Sequence, residues 1–264
     1  MDLVIAWIIS IILSVAPLAR TQYMAGGLET EQDAQARYES IAKDLIEVVY
    51  NPNEKPLFSG PLGRAKTVDV ILAVSSFESG FRQDVDFGSG HLAKGDGGQS
   101  WCLMQVKLGP ARANGKTAQR LIVNPDGSFT FTTDPTKGYG GEDLVSDRKN
   151  CFRAGLSILR ASFNMCGQTE LKDKLRAYAS GACDKGQPQS RLRMGLAIRW
   201  MDQKAPPLDD NGVINLMNPP PAQDEVTTAS FVLPLVLDRE PNLFLLRTVQ
   251  APFRARAEAH WLDL

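Results

Sequence analysis

The chain has little net charge, few cysteines and few histidines, and each shortage excludes a class of function. Its formal net charge is −1 over 264 residues, so no basic surplus is present for binding nucleic acid. The four cysteines do not show the spacing of a zinc site, and His91, one of two histidines, is assigned no role. Hydrophobic residues still make up 43% of the chain, which predicts a globular protein with one good-sized core.

One long apolar run occupies residues 3–19 and carries no charge. Its length lies between that of a signal-peptide core and that of a short transmembrane helix, so residues 1–20 are predicted to be a signal peptide or membrane anchor. Asp2 departs from the positive start that signal peptides usually have. A helix buried in the protein core, or in a virion assembly, would show the same pattern, and this alternative stays open.

The stretch from Val68 to Gln105 contains the strongest candidate for a catalytic residue. Apolar and small residues recur there at the three- and four-residue spacing of one helical face, and Glu78 lies on that face. Desolvation disfavours the charged form of a carboxyl and raises its pKa, as a proton donor near neutral pH requires. Gly80 then ends the helix. The alternative is an ordinary glutamate at a solvated helix end.

A polar loop at residues 82–100 follows this helix and holds five glycines and three aspartates. Such a loop suits the lining of a cleft, although a solvated turn has the same composition. Asp84 and Asp86 are the carboxylates nearest to Glu78 in the sequence. They are the candidates for a second carboxylate that holds a water or stabilises positive charge, as in glycosidases that use two.

The rest of the chain predicts helices, one hairpin and a C-terminal appendage. Thr30 begins a helix that ends at Tyr50, and helical spacing returns from residue 148 to residue 200. Residues 121–133 alternate about a Pro-Asp-Gly turn and predict a β-hairpin. Five prolines within residues 205–224 predict an extended linker, and residues 225–264 a C-terminal extension that packs on the domain or docks a partner.

Four motifs between residues 71 and 186 resemble, in order, those of lytic transglycosylases with the soluble-lytic-transglycosylase, or goose-type lysozyme-like, domain. They read ILAVSSFESGF, CLMQV, DLVSDRKNCFRAGLSIL and LRAYASGACDKG. The resemblance implies a mainly α, lysozyme-like (α+β) domain over residues 25–204. The hairpin would then be an insertion at the edge of the cleft, because the family commonly has a shorter connection there.

The resemblance also implies an activity and a set of roles. The enzyme would cleave the β-1,4 bond between N-acetylmuramic acid and N-acetylglucosamine in peptidoglycan and leave a 1,6-anhydromuramic end. Glu78 would act as general acid and then as general base. Ser79 would bind the acetamido group or the sugar, Gln105 and Tyr178 would order the acid and the glycan, and Met104 would form an apolar wall. No metal or cofactor is implied.

Two positions depart from the family motifs. Cys102 replaces the glycine before Leu-Met-Gln, which is tolerated only if φ there is not strongly positive or if a disulfide compensates. Ala179 replaces the asparagine of the Ala-Tyr-Asn motif and so removes an amide near the acid. Either departure could shift specificity, and neither removes the acid.

The even number of cysteines suggests two disulfides in an exported protein, with three connectivities open. In the fold of the resembled family the Met-Gln motif lies near the start of the Asn-Ala-Gly helix. This favours Cys102 with Cys151 and Cys166 with Cys183. Four buried thiols in a reducing compartment are the alternative.

Two other functions compete with the transglycosylase. A hydrolytic lysozyme on the same fold would need a second carboxylate, with Asp84 and Asp86 as candidates. A non-catalytic glycan-binding or structural component of a phage particle or secretion machine would need no acid. The expected location is exported, either periplasmic or membrane-anchored through residues 3–19 and facing the cell wall. In the alternative the protein is virion-associated, with the C-terminal extension serving assembly.

Overall fold

The computed structural model describes residues 1–18, 29–90, 93–109 and 119–219, and these form a mainly helical fold with two small antiparallel sheets. The helices are α1 Asp2–Val15, α2 Glu31–Val49, α3 Gly63–Glu78, α4 Gln83–Asp86, α5 Gly141–Ser146, α6 Arg148–Met165, α7 Arg176–Ser180, α8 Gln187–Gln203 and α9 Asp210–Met217. Strand β1 (Ser100–Trp101) pairs with β2 (Val106–Lys107), and β3 (Arg120–Val123) pairs with β4 (Phe129–Thr132). The predicted mainly α fold with a small hairpin is therefore confirmed. Residues 225–264, predicted as an extension, lie outside the described residues.

Helix α3 is the central element of the fold. Its residues from Val68 to Ser75 are buried without interruption, because α1, α2, α6, α8 and α9 all pack against it. A helix that is apolar on every side belongs in a core, and this one has a weak amphipathic pattern for that reason. The helix ends at Glu78, where the chain emerges from the core.

Helix α1, predicted as a signal peptide or anchor, packs into the core of the domain. Ile8, Ile11 and Ile12 are fully buried, and the Trp7 indole N–H donates a hydrogen bond of 2.8 Å to the carbonyl of Lys204. This arrangement agrees with the alternative prediction, a helix buried in the protein core. None of the described helices has both the length and the apolar composition needed to cross a membrane. The compact unit runs from Met1 to Pro220 and so begins before the predicted boundary at residue 25.

The interval predicted as an extended linker contains helix α9. The Asp209 carboxylate accepts a hydrogen bond of 2.7 Å from the Gly212 amide and starts the helix. The Asp210 carboxylate accepts from the amides of Arg64 and Ala65, at 2.8 and 3.2 Å, and so caps the first turn of α3. The described prolines of this interval, Pro206, Pro207 and Pro219, flank α9 and do not interrupt it.

Both preferred disulfides are confirmed, and one of them lies at the strained position. Cys102 joins Cys151 and Cys166 joins Cys183, with Cα separations of 6.1 and 5.5 Å. Cys102 has a φ of 61°, a left-handed conformation that favours glycine, so the first condition for replacing the family's glycine fails. The other condition, a disulfide that compensates for this backbone conformation, is met. The Cys102–Cys151 bond ties the β1–β2 turn to α6, and loop closure of this length stabilises a fold by about 4 kcal/mol.

Candidate functional site

The candidate site is an open cleft of about 650 Å³, a typical size for a ligand site. One wall is the end of α3, and the loop around β1 and β2 forms another. Strand β4 of the hairpin, α7, Ile158 of α6 and Arg193 of α8 complete the described lining. Segments from all four motifs therefore meet at one cavity, although they are far apart in the sequence.

Glu78 lies on the cleft wall and is held by Arg193 of α8. The guanidinium donates from Nε at 3.1 Å and from Nη2 at 2.7 Å, and both bonds end on Oε1 of Glu78. Arg193 Nη1 also donates to the carbonyl of Gln189, at 3.1 Å, and its guanidinium lies 5.5 Å from the centre of the Phe77 ring. Three contacts thus fix the guanidinium, and it fixes one of the two carboxyl oxygens.

The environment of Glu78 acts on its pKa in opposing directions. Burial raises the pKa of the Glu78 carboxyl, the charge and hydrogen bonds of Arg193 lower it, and the negative charge of Asp96 raises it again. The pKa remains above its usual value. Glu78 is therefore a carboxyl that can carry a proton closer to neutral pH than a solvated glutamate can.

Tyr178 and Gln105, predicted to order the acid and the glycan, also line the cleft. The Tyr178 hydroxyl donates a hydrogen bond of 2.5 Å to the carbonyl of Met104, and burial raises the pKa of Tyr178 well above its usual value. The Gln105 amide donates to the carbonyl of Cys102, at 3.0 Å, and accepts from the Gly95 amide, at 2.9 Å. Both side chains brace the cleft loops through backbone groups, and among the described contacts neither bonds to Glu78.

Gly95 makes the Gln105 contact sterically feasible. A β-carbon at Gly95 would lie 2.3 Å from the Gln105 side-chain oxygen, well inside van der Waals contact. The glycine therefore lets the amide of Gln105 reach the backbone of the loop. At this position of the glycine-rich loop 82–100, close packing explains why the residue is glycine.

Ser79 and Met104 lie behind the cleft wall, and neither is among the described residues that line the cavity. The Ser79 hydroxyl donates to the carbonyl of Ser75, at 2.8 Å, and so closes the end of α3. Met104 is fully buried, and a β-carbon at Gly155 would lie only 2.1 Å from its sulfur. Both were predicted to contact substrate, but neither side chain borders the cavity in which a substrate would bind. They shape the wall that presents Glu78 and Tyr178.

Asp84 and Asp86, the predicted second carboxylates, lie outside the cleft lining because they belong to the short helix α4. Asp84 forms an ion pair with Arg82. Asp86 is buried and accepts two hydrogen bonds from Arg148, at 2.8 and 2.9 Å. Both aspartates are therefore structural ion-pair partners in this fold.

Asp96 is the carboxylate that shares the cleft with Glu78, and no sequence pattern singled it out. It accepts a hydrogen bond of 2.9 Å from the Ser100 hydroxyl and lies 3.4 Å from the Lys107 ammonium. It is the third aspartate of the glycine-rich loop. Asp84 and Asp86 are closer to Glu78 in the sequence, so proximity along the chain pointed to them instead. Arg193 gave no sequence signal, because its partner lies 115 residues away.

Within the described ranges, no group of three or more His, Cys, Asp and Glu side chains is placed to hold a metal ion. The ionisable groups of the cleft are instead Glu78, Asp96, Lys107, Tyr178 and Arg193. Comparison of the chain with family models, with curated proteins and with solved structures gave no match. The resemblance to lytic transglycosylases is therefore limited to the four sequence motifs.

Proposed function

We propose that this protein is a peptidoglycan lytic transglycosylase in which Glu78 is both general acid and general base. The observation that carries the proposal is the placement of Glu78. Its side chain is 21% exposed, lines a cleft large enough for a glycan and has a pKa raised by burial. The convergence of the motif segments on this cleft supports the same assignment.

The hydrogen bonds of Glu78 suit the first chemical step. Both Arg193 bonds end on Oε1, and Oε2 accepts no bond from the described residues. A protonated carboxyl would thus carry its proton on Oε2, the oxygen open to the cleft. Transfer of that proton to the bridging oxygen would break the bond to the muramoyl C1, and Glu78 would be left as a carboxylate.

The second step uses the carboxylate that the first step leaves. Glu78 would remove the proton of the muramoyl C6 hydroxyl while that oxygen forms a bond to C1, which closes the 1,6-anhydro ring. The Arg193 guanidinium stabilises the ionised carboxylate between the two steps, as charge-assisted hydrogen bonds do. The proton returns to Glu78, and no water is consumed.

A hydrolytic lysozyme is the second candidate, and the position of Asp96 is the observation that favours it. Hydrolysis by inversion requires a second carboxylate that activates a water, and Asp96 is available on the same cleft. The Ser100 hydroxyl and the Lys107 ammonium hold its carboxylate in position. The two reactions differ in their products, since hydrolysis leaves reducing ends and transglycosylation leaves anhydro ends.

The test is mass spectrometry of the muropeptides that the full chain releases from purified peptidoglycan. We expect anhydro ends from the unmodified protein and a loss of roughly 10²- to 10⁴-fold in rate for Glu78→Gln. Glu39→Gln is the matched control, because Glu39 is an exposed residue of α2 paired with Lys43. Reducing ends would establish the lysozyme instead. No release by the unmodified protein would contradict both.

A further inference from the structure

The β3–β4 hairpin places an exposed aromatic side chain in the cleft. Phe129 and Phe131 are two residues apart in β4 and so lie on one face of the strand, and both line the cavity. Their ring centres are 5.5 Å apart at an interplanar angle of 75°, an edge-to-face pair. Phe131 is 45% exposed. The pair thus presents one ring to the cleft, supported by the other.

The same face of the hairpin runs from the core into the cleft. Phe131 is opposite Leu121 in the strand register, and Phe129 is opposite Val123. Leu121 is fully buried, whereas Phe131 is open to solvent. Val123 and Phe129 are half-buried, so the apolar face continues from the core at Leu121 to the exposed ring of Phe131 at the cleft.

The hairpin is fixed at its base. Arg120 donates to the carbonyls of Lys137 and Gly138, at 2.8 and 2.7 Å, and to the carboxylate of Asp143, at 2.6 Å. These bonds attach the first residue of β3 to the segment that leads into α5.

The turn of the hairpin is also fixed. Arg160 of α6 donates to the carbonyl of Gly127, at 3.4 Å, and pairs with Glu54, at 2.7 Å. With both ends held, the aromatic ring is positioned before any ligand arrives, which lowers the entropy cost of binding.

Much of the remaining cleft lining is polar. Asp96, Lys107 and Ser180 contribute to it, so a ligand would meet an aromatic face at the hairpin and hydrogen-bonding groups elsewhere. A β-linked pyranose has that division, because its axial C–H bonds form an apolar face and its hydroxyls form a polar rim. The electron-rich face of an aromatic ring attracts such C–H groups.

We propose that Phe131, supported by Phe129, is a stacking platform for one sugar ring of a β-1,4-linked glycan. The platform forms a subsite of the same cleft in which Glu78 acts. This inference rests on the proposed function for the class of substrate. It assigns substrate binding to the inserted hairpin, which the motifs do not cover.

The test measures binding separately from cleavage. In the full chain carrying Glu78→Gln, affinity for a β-1,4-linked N-acetylglucosamine hexamer is measured by calorimetry, with and without Phe131→Ala. We expect Phe131→Ala to weaken binding by roughly tenfold, equivalent to ~1.4 kcal/mol. Phe131→Trp retains a ring and should retain affinity, whereas Phe131→Leu should resemble the alanine variant. Phe87→Ala is the matched control, because Phe87 is 52% exposed and outside the residues that line the cleft.

Equal affinity of the Phe131→Ala and Phe87→Ala proteins would overturn the stacking platform. So would full affinity in Phe131→Leu, since an apolar side chain without a ring would then suffice. Absence of hexamer binding by the parent protein would overturn the platform together with glycan recognition. Binding that depends on Phe131, in a protein whose unmodified form releases no muropeptides, would refute the transglycosylase and leave the platform standing.

Discussion

Helix α3 carries two desolvated carboxyls, and they differ in what surrounds them. Asp69 lies in the middle of the helix, 2% exposed, and its Oδ1 has no hydrogen-bond partner among the described residues. Burial raises the pKa of Asp69 to about 8. Glu78 lies at the end of the same helix, on the cleft, with a guanidinium on one oxygen. Burial raises its pKa too, and Arg193 opposes that effect.

Burial raises the pKa of both carboxyls, but of the two only Glu78 lines a cleft that a ligand can enter. Asp69, whose pKa burial raises to about 8, is mostly protonated at pH 7 and is enclosed by core residues, so no ligand can reach it. Glu78 combines partial burial, an open oxygen and a fixed cation that stabilises its ionised form. These features suit the proposed role, because an acid that then acts as base must reach the reacting group in either protonation state.

Among variants that alter the surroundings of these two carboxyls, Arg193→Gln is expected to have the largest effect. Removing the cation raises the pKa of Glu78 further, because desolvation is then unopposed by a positive charge. On the alkaline side of the pH–rate profile the rate falls because the acid loses its proton. This limb should move to higher pH in the variant. Loss of the fixed carboxyl geometry should lower kcat by roughly 10- to 100-fold. Peptidoglycan solubilisation measured from pH 4 to pH 10 tests both changes.

Two further variants separate the charge of Arg193 from its geometry. Arg193→Lys retains a cation without the planar fork, so its pH profile should stay near that of the unmodified protein while the rate still falls. Arg191→Gln is the matched control, since Arg191 is two residues away on α8 and pairs with Asp173. An unshifted alkaline limb in Arg193→Gln would show that Arg193 does not control the ionisation of Glu78.

Asp69→Asn should change stability and leave the activity unchanged. The unfolded chain releases the Asp69 proton near pH 4 and the folded protein only near pH 8, so the free energy of unfolding falls as pH rises between these values. The amide has no proton to lose, and the variant should be the more stable protein, by on the order of 2 kcal/mol at pH 8.

Thermal unfolding from pH 4 to pH 9 tests this expectation. The gap in Tm between the variant and the unmodified protein should widen with pH up to about 8 and then stay constant. Asp202→Asn, at an exposed position of α8, should show no such gap. A constant difference across the range would mean that Asp69 ionises normally in the fold.

If the proposed transglycosylase reaction holds, the smallest effect is expected from Asp96→Asn. The charge of Asp96 contributes to the raised pKa of Glu78, so its removal should move the alkaline limb slightly to lower pH. The rate should change by less than about threefold, below ~1 kcal/mol, and the products should keep anhydro ends. Asp84→Asn is the control for a carboxylate outside the cleft. Inactivity of Asp96→Asn, with reducing ends from the unmodified protein, would identify Asp96 as the catalytic base of a lysozyme.

The sequence predicted helices and turns correctly where residues a few positions apart determine them. Thr30 accepts a hydrogen bond of 3.1 Å from the Asp33 amide and begins α2, as the capping signature indicated. The Pro-Asp-Gly turn gave the hairpin, and helical spacing with a terminal glycine placed Glu78 at the end of α3. The disulfide pairing was also correct, but it came from the family resemblance and not from the cysteines themselves.

The helix that carries Glu78 and the hairpin could be predicted from the sequence alone, because each depends on spacing within a few residues. Three features could not be predicted in this way: α1 packs in the core, Asp96 and not Asp84 or Asp86 lines the cleft, and Arg193 holds Glu78. These outcomes depend on which faces of distant elements meet. The same apolar sequence can form a membrane helix or a core helix. The partner of an arginine on one helix is fixed only when that helix packs against another.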